Sequence, residues 1–153
     1  MAHVIAKPSE PEDGPLTLYL VKQLELLIRA LLDERLKPLG LTTLQYTALS
    51  VLLRRSPLSS AQLARRSFVR PQSMHEMVLA LEKRGLIARH RDPDNRRVLL
   101  ATLTEEGAAL LEECAPLVAE LETHMLSNLS AKRRSEFRGA LGEAHRSLSD
   151  LQP

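Results

Sequence analysis

The stretch LSSAQLARRSFVRPQSMHEMVLALEKRGLIARHRDPDNRRVLLATLT, residues 58–104, decides the fold. Leu58 to Leu63 opens a short helix. Ser59 at the N-cap and Gln62 three residues on are spaced to satisfy each other's backbone N–H groups, and Leu58 and Leu63 form the accompanying hydrophobic staple. Phe68-Val69 interrupts this helix. Pro71 begins the next, at a position where its missing N–H costs nothing. Met74, Met77, Val78 and Leu81 then recur at i, i+3, i+4, i+7, one buried stripe, and Gly85 ends the helix. Ile87–Arg91 and Arg96–Leu103 have the β-branched and apolar content of two strands, with the turn residues Asp92-Pro93-Asp94-Asn95 between them.

Helix, tight turn, helix and basic hairpin is the plan of a winged helix-turn-helix. The same region concentrates positive charge. From Arg54 to Arg97 there are eleven Lys/Arg and four Asp/Glu, a net +7, whereas the remainder of the chain carries −5. A nearly neutral protein that gathers its cations around one helix pair and a hairpin presents an electrostatic footprint for a polyanion.

Outward from this lobe the chain is helical. Pro15 to about Lys37 reads as a long helix whose apolar residues, among them Leu16, Leu20, Val21, Leu24, Leu27, Ile28 and Leu31, cover more than one face. Two apolar stripes call for a second partner, which predicts a dimer interface. Pro38 and Gly40 stop this helix. Thr42 and Gln45 form another capping box, and Leu44, Ala48, Leu49, Leu52 and Leu53 the inner stripe of the helix that follows. Beyond the hairpin, Thr104 caps a helix that begins with Glu105-Glu106, runs to about Ser127 and should kink at Pro116. Ser130 caps a last helix with a seam of Phe137, Leu141, Ala144 and Leu148. The predicted fold is mainly α with a small β-hairpin wing. Residues 1–14 are expected to form a mobile tail, and 15–153 a single domain, in which 15–40 and 104–150 would dimerise and 41–103 would be the reading lobe.

Composition excludes several classes. Apolar residues make up 44% of the 153, so the chain is globular, and aromatics only 3%, which argues against base-stacking single-strand modules. One cysteine, Cys114, permits neither an internal disulfide nor a cysteine metal cage. Glu120 and His124 are one helical turn apart and could share a cation, but no second ligand pair lies nearby in sequence. There is no nucleophile elbow, no phosphate-cradling glycine loop and no HExxH, so neither an enzyme nor a cofactor is expected. No apolar run reaches membrane-spanning length and the start does not read as a signal peptide, so a cytoplasmic protein is the expectation.

On the second helix of the pair, Gln72, Ser73, His75 and Glu76 lie off the apolar stripe. These side chains can read base edges: Gln pairs with adenine, Ser with either edge, and Glu accepts from cytosine N4. Arg70 and Ser59 are candidate phosphate contacts. On the wing, Arg89, Arg91, Arg96 and Arg97 flank the turn, arginines of the kind that a narrow minor groove attracts, and Asp94 is placed to hold Arg96 in a fixed pose. A winged-helix module that binds protein is the alternative. So is a redox or metal sensor using Cys114 or Glu120 with His124, although Glu112 and Glu113 would raise the Cys114 pKa.

The order of motifs resembles the MarR family of bacterial transcriptional regulators. The resemblance rests on Gly40-Leu41-Thr42 with Gln45 and Leu49, on Leu63-Ala64, on Leu81-Glu82-Lys83-Arg84-Gly85-Leu86-Ile87, and on Asp92-Pro93-Asp94-Asn95-Arg96-Arg97 running to Leu103-Thr104-Glu105-Glu106-Gly107. It extends over roughly Leu16 to Leu148. It implies a homodimeric repressor on a palindromic double-stranded operator, with recognition helices roughly 34 Å apart, one turn of B-DNA. By position it assigns Arg96 as the minor-groove arginine and Asp94 as its orienting aspartate. It also implies a small aromatic or phenolic effector, with Tyr46 as a lining residue. Glu76 departs from the pattern, where a basic residue is common, and the first helix lacks the reactive cysteine of the peroxide-sensing members.

Overall fold

Capping chemistry sets most of the helix boundaries. The computed structural model describes residues 16–152, so the tail expected over residues 1–14 lies outside them. Helix α1 (Leu16–Leu36) passes into a single 3-10 turn, Lys37–Leu39, so Pro38 sits inside a tightened last turn. Helix α2 spans Thr43–Arg54. Its capping box is complete: Gln45 N donates to Thr42 Oγ1 at 3.1 Å, and Thr42 N donates to Gln45 Oε1 at 3.0 Å. Asp33 of α1 adds a second tie by accepting from Thr43 N at 2.7 Å. The box expected at Ser59 and Gln62 is present too, with helix α3 over Ser60–Ser67. Each such cap is worth about 1 kcal/mol.

Helix α4 (Pro71–Lys83) follows, then strands β2 (Ile87–Arg91) and β3 (Leu99–Leu103), helix α5 (Glu105–Met125) and helix α6 (Ala131–Ser149). Helix α5 runs unbroken past Pro116. Its start is fixed by Thr104, whose Oγ1 accepts from Gly107 N and donates to Gly85 O.

The sheet corrects two expectations. It has three strands in the order β1-β3-β2, all antiparallel, because Leu58–Ser59 pairs with β3 as strand β1. The sequence pattern instead places Leu58 at the opening of the helix. An N-cap residue, however, keeps extended backbone, here φ −69° and ψ 160° at Ser59, and extended backbone can join a ladder. The second correction concerns Arg96–Leu103. Only Leu99–Leu103 is strand, because the turn's own hydrogen bonds continue to Val98. Asp92 Oδ1 accepts from Asp94 N, Asn95 Oδ1 from Arg97 N, and Asn95 O from Val98 N. Arg96 and Arg97 therefore sit on the loop.

The chain divides into two compact units, one up to Cys114 and one from Ala115. In the first, Leu36, Leu49, Leu52, Leu63, Met74, Val78, Leu81 and Cys114 are fully buried. Leu53, assigned to the inner stripe of α2, is instead 61% exposed, one position past the buried arc that Leu49 and Leu52 define. Helix α1 buries only Leu32 and Leu36, and leaves Leu16, Leu20, Val21, Leu26 and Leu27 in solvent. In the second unit, Arg134 Nε donates to the carbonyls of Leu126 and Leu129, bracing the turn into α6. Helix α6 buries none of its side chains. Of its expected seam Phe137 is half-buried, and Leu141, Ala144 and Leu148 are exposed.

Candidate nucleic-acid interface

Helix α4 is held by its apolar arc. Met74, Val78 and Leu81 are buried and Met77 half-buried, so the opposite arc must face water. Gln72, Ser73, His75 and Glu76 all lie exposed there. At about 100° per residue these four span roughly 160° of the helix circumference, most of its solvent side. Arg70 occupies the N-cap with Pro71 at N1, and no side chain caps this end. The first amides of α4 are thus left for another acceptor, and the helix dipole favours an anion there. Among the described residues no hydrogen bond or ion pair joins Arg70 to Glu76.

The back of α4 is braced by two arginines. Arg84 Nη1 donates to Gly40 O at 2.6 Å and Nη2 to Leu39 O at 3.3 Å, tying the end of α4 to the turn before α2. Arg89, expected among the cations flanking the wing turn, instead makes a two-point pair with Glu82, at 3.1 and 3.0 Å. The bidentate pair locks β2 to α4. The hydrogen bonds from Arg89 hold the Glu82 carboxyl below the ordinary carboxylate range, and the same contact raises Arg89. Neither arginine is legible as a brace from sequence: Gly40 and Arg84 stand far apart in the chain, and Arg89 meets Glu82, seven residues away, only once the chain reverses at Gly85 between α4 and β2.

At the wing, Arg91 Nη1 donates to Arg96 O at 2.7 Å, closing the loop from within. Among the described residues no bond links Asp94 to the Arg96 guanidinium, and Asp94 uses its backbone N–H on Asp92. The Arg96 and Arg97 side chains stand exposed at the tip. Ser59 has its backbone N–H and its hydroxyl oxygen engaged in the α3 cap, which leaves the hydroxyl proton to donate elsewhere.

Two other candidates read differently. Cys114 is fully buried, and burial first, then the Glu113 carboxylate, pushes its thiol pKa up. A thiol so placed is a poor nucleophile and a poor sensor. Among the described residues no group of three or more His, Cys, Asp or Glu could hold a metal, and no helix is long and apolar enough to cross a membrane. Tyr46 is half-buried and lines a shallow hollow of about 300 Å³ with Thr47, Ser50, Val51 and Arg54. Phe68, which in the sequence marks only the interruption between two helices, is 75% exposed.

Comparison with known proteins places this architecture. The sequence profile of the MarR family matches residues 39–98. The HTH-type transcriptional repressor Rv2887 of Mycobacterium tuberculosis is 35% identical over 130 residues, 85% of this chain and 93% of its own length. The crystal structure of that MarR family protein in complex with p-aminosalicylic acid superposes with a TM-score of 0.72, at 34% identity over 86% of this chain and 99% of that one. A mutant MarR from E. coli complexed with operator DNA superposes with a TM-score of 0.74, at 26% identity over 82% of this chain and 91% of that one. Profile, sequence relatives and structures converge with the helix pair and its wing: the chain belongs to the MarR family of winged helix-turn-helix transcriptional regulators.

Proposed function

We propose that this protein is a homodimeric repressor that binds a palindromic double-stranded operator and leaves it when a small aromatic acid or phenol binds. The observation that carries this reading is the solvent-facing arc of α4, read together with an arginine-tipped wing inside a segment of net charge +7. Lys and Arg contacts to phosphate supply affinity and its salt dependence. Gln72, Ser73, His75 and Glu76 read base edges in the major groove. Arg96, with Arg97 and Arg91 beside it, enters the adjacent minor groove, and Asp94 orients Arg96 once DNA is bound. Arg70 and Ser59 hold the backbone at the entrance of α4.

Dimerisation is supported by the apolar surface of α1, where Leu24, Leu26 and Leu27 line an open hollow of about 500 Å³, and separately by the exposed Leu141 and Leu148 of α6. Solvent-exposed leucines in such number mark an association surface. For the effector, the hollow at Tyr46 offers an aromatic wall and, in Arg54, a guanidinium for a carboxylate. The p-aminosalicylic acid held by the mycobacterial relative has both groups. An effector acts here by binding the non-reading arrangement of the dimer more tightly than the reading one.

Selecting duplexes from a random pool supplies the operator. On it, Arg96→Ala should weaken binding at least tenfold and flatten the salt dependence by about one ion. Salicylate should release the unsubstituted protein and release Arg54→Gln poorly. An enriched duplex that Arg96→Ala binds undiminished would refute the assignment of the wing.

A further inference from the structure

Phe68 is the only non-glycine residue with positive φ among the described residues, at φ 55° and ψ 40°. It ends α3 in the left-handed conformation, a place that glycine takes without penalty and an aromatic residue takes against its own Cβ. Burial does not offset that penalty, since the ring is 75% exposed. The chain thus keeps a strained backbone and a bare aromatic ring at one residue, in the turn between the two helices of the reading pair. The left-handed turn itself serves the fold, since Phe68 N and Val69 N both donate to Ala64 O across it, but the fold neither buries nor requires the phenyl ring, and strain kept for such a side chain is concentrated at functional positions.

Charge identifies what meets the ring. From Leu36 to His75 there is no Asp or Glu, while Lys37, Arg54, Arg55, Arg65, Arg66 and Arg70 all fall within that span. Arg65, Arg66 and Arg70, the cations nearest Phe68 in sequence, are exposed. An exposed ring with three exposed arginines within three residues of it in the chain suits a partner that is anionic and yet offers apolar faces. Duplex DNA offers two, the deoxyribose face and the thymine methyl. We infer that Phe68 is a DNA-contact residue, packing its ring on an apolar face of the duplex at the edge of the half-site read by α4. This rests on the DNA-binding reading above and adds a specificity element that makes no hydrogen bond.

The test uses the full chain and its selected duplex. Phe68→Gly and Phe68→Asn relieve the left-handed strain, so both should melt no lower than the unsubstituted protein. Both should bind about tenfold more weakly, the scale of one good base contact. The salt dependence of that binding should stay unchanged, because an apolar contact releases no counterion. Phe68→Tyr, which keeps the ring, should bind as tightly as the original. Duplexes with uracil in place of thymine locate the contact. A loss with uracil that Phe68→Gly abolishes puts the ring on a methyl, and the same response in both proteins puts it on the sugar. Equal affinity of Phe68→Gly and the original, or a loss that also flattens the salt dependence, would overturn the inference while leaving DNA binding intact. A protein that enriches no duplex at all would refute the DNA-binding reading itself.

Discussion

Substituting Gly107 by alanine should destabilise the reading lobe severely, although glycine within a helix ordinarily gives way to alanine with a gain. A Cβ at this position would press on the Leu86 carbonyl oxygen, closer than the 3.0 Å that such atoms tolerate, and would stand 2.7 Å from Leu103 Cδ1. The backbone oxygen cannot swing aside, because it accepts from Thr104 N at 3.2 Å. The start of α5 must therefore retreat from the sheet. That movement stretches the Thr104–Leu86 bond and the 2.6 Å bond from Thr104 Oγ1 to Gly85 O. Overpacking costs about 1–3 kcal/mol and each lost hydrogen bond about 1 kcal/mol, against a helix-propensity gain of at most about 1 kcal/mol. The expected net loss is about 3 kcal/mol, or roughly 6–12 °C in a chain of this size. Thermal unfolding at one fixed protein concentration reads it, with Gly139→Ala as the control. A Cβ at Gly139 meets nothing within 4 Å, so that variant should melt at or slightly above the original. A Gly107→Ala protein as stable as Gly139→Ala would refute the packing argument.

The Glu82–Arg89 pair gives a pH signature. Because the folded protein depresses the Glu82 pKa, the pair's contribution is present above the ordinary carboxylate range and is lost as pH falls through the depressed value. For this half-exposed pair it amounts to about 0.5–1 kcal/mol, so Glu82→Gln should melt lower at neutral pH and converge with the original in acid. No convergence would refute the pair's role. Cys114, fully buried with its pKa raised, should resist alkylation by iodoacetamide in the native protein and react once denaturant is added. Prompt native-state labelling would reopen a thiol-sensing role.

What was legible in the sequence was local. Thr42 with Gln45, and Ser59 with Gln62, announce two helix starts because a capping box is closed by residues three apart. The spacing of Met74, Val78 and Leu81 fixed which arc of α4 is buried, and so which residues could read DNA. What depended on distant partners was not legible. Strand β1 exists because β3 lies alongside Leu58 and Ser59, and nothing near them in sequence indicates it. Arg84 finds its acceptors at Leu39 and Gly40 across the lobe, while Arg89, though only seven residues from Glu82, reaches it because the reversal at Gly85 lays β2 along α4, which side-chain spacing does not indicate. At the hairpin, side-chain acceptance by Asp92 and Asn95 prolonged the turn beyond its expected end and left Arg96 and Arg97 at the tip.

The proposal that two copies act together on one duplex has a direct test, the mass of the complex by light scattering with the selected operator in excess. Two chains per duplex are predicted, together with a dimer when DNA is absent. One chain per duplex, or a monomer that binds the operator at full affinity, would contradict it.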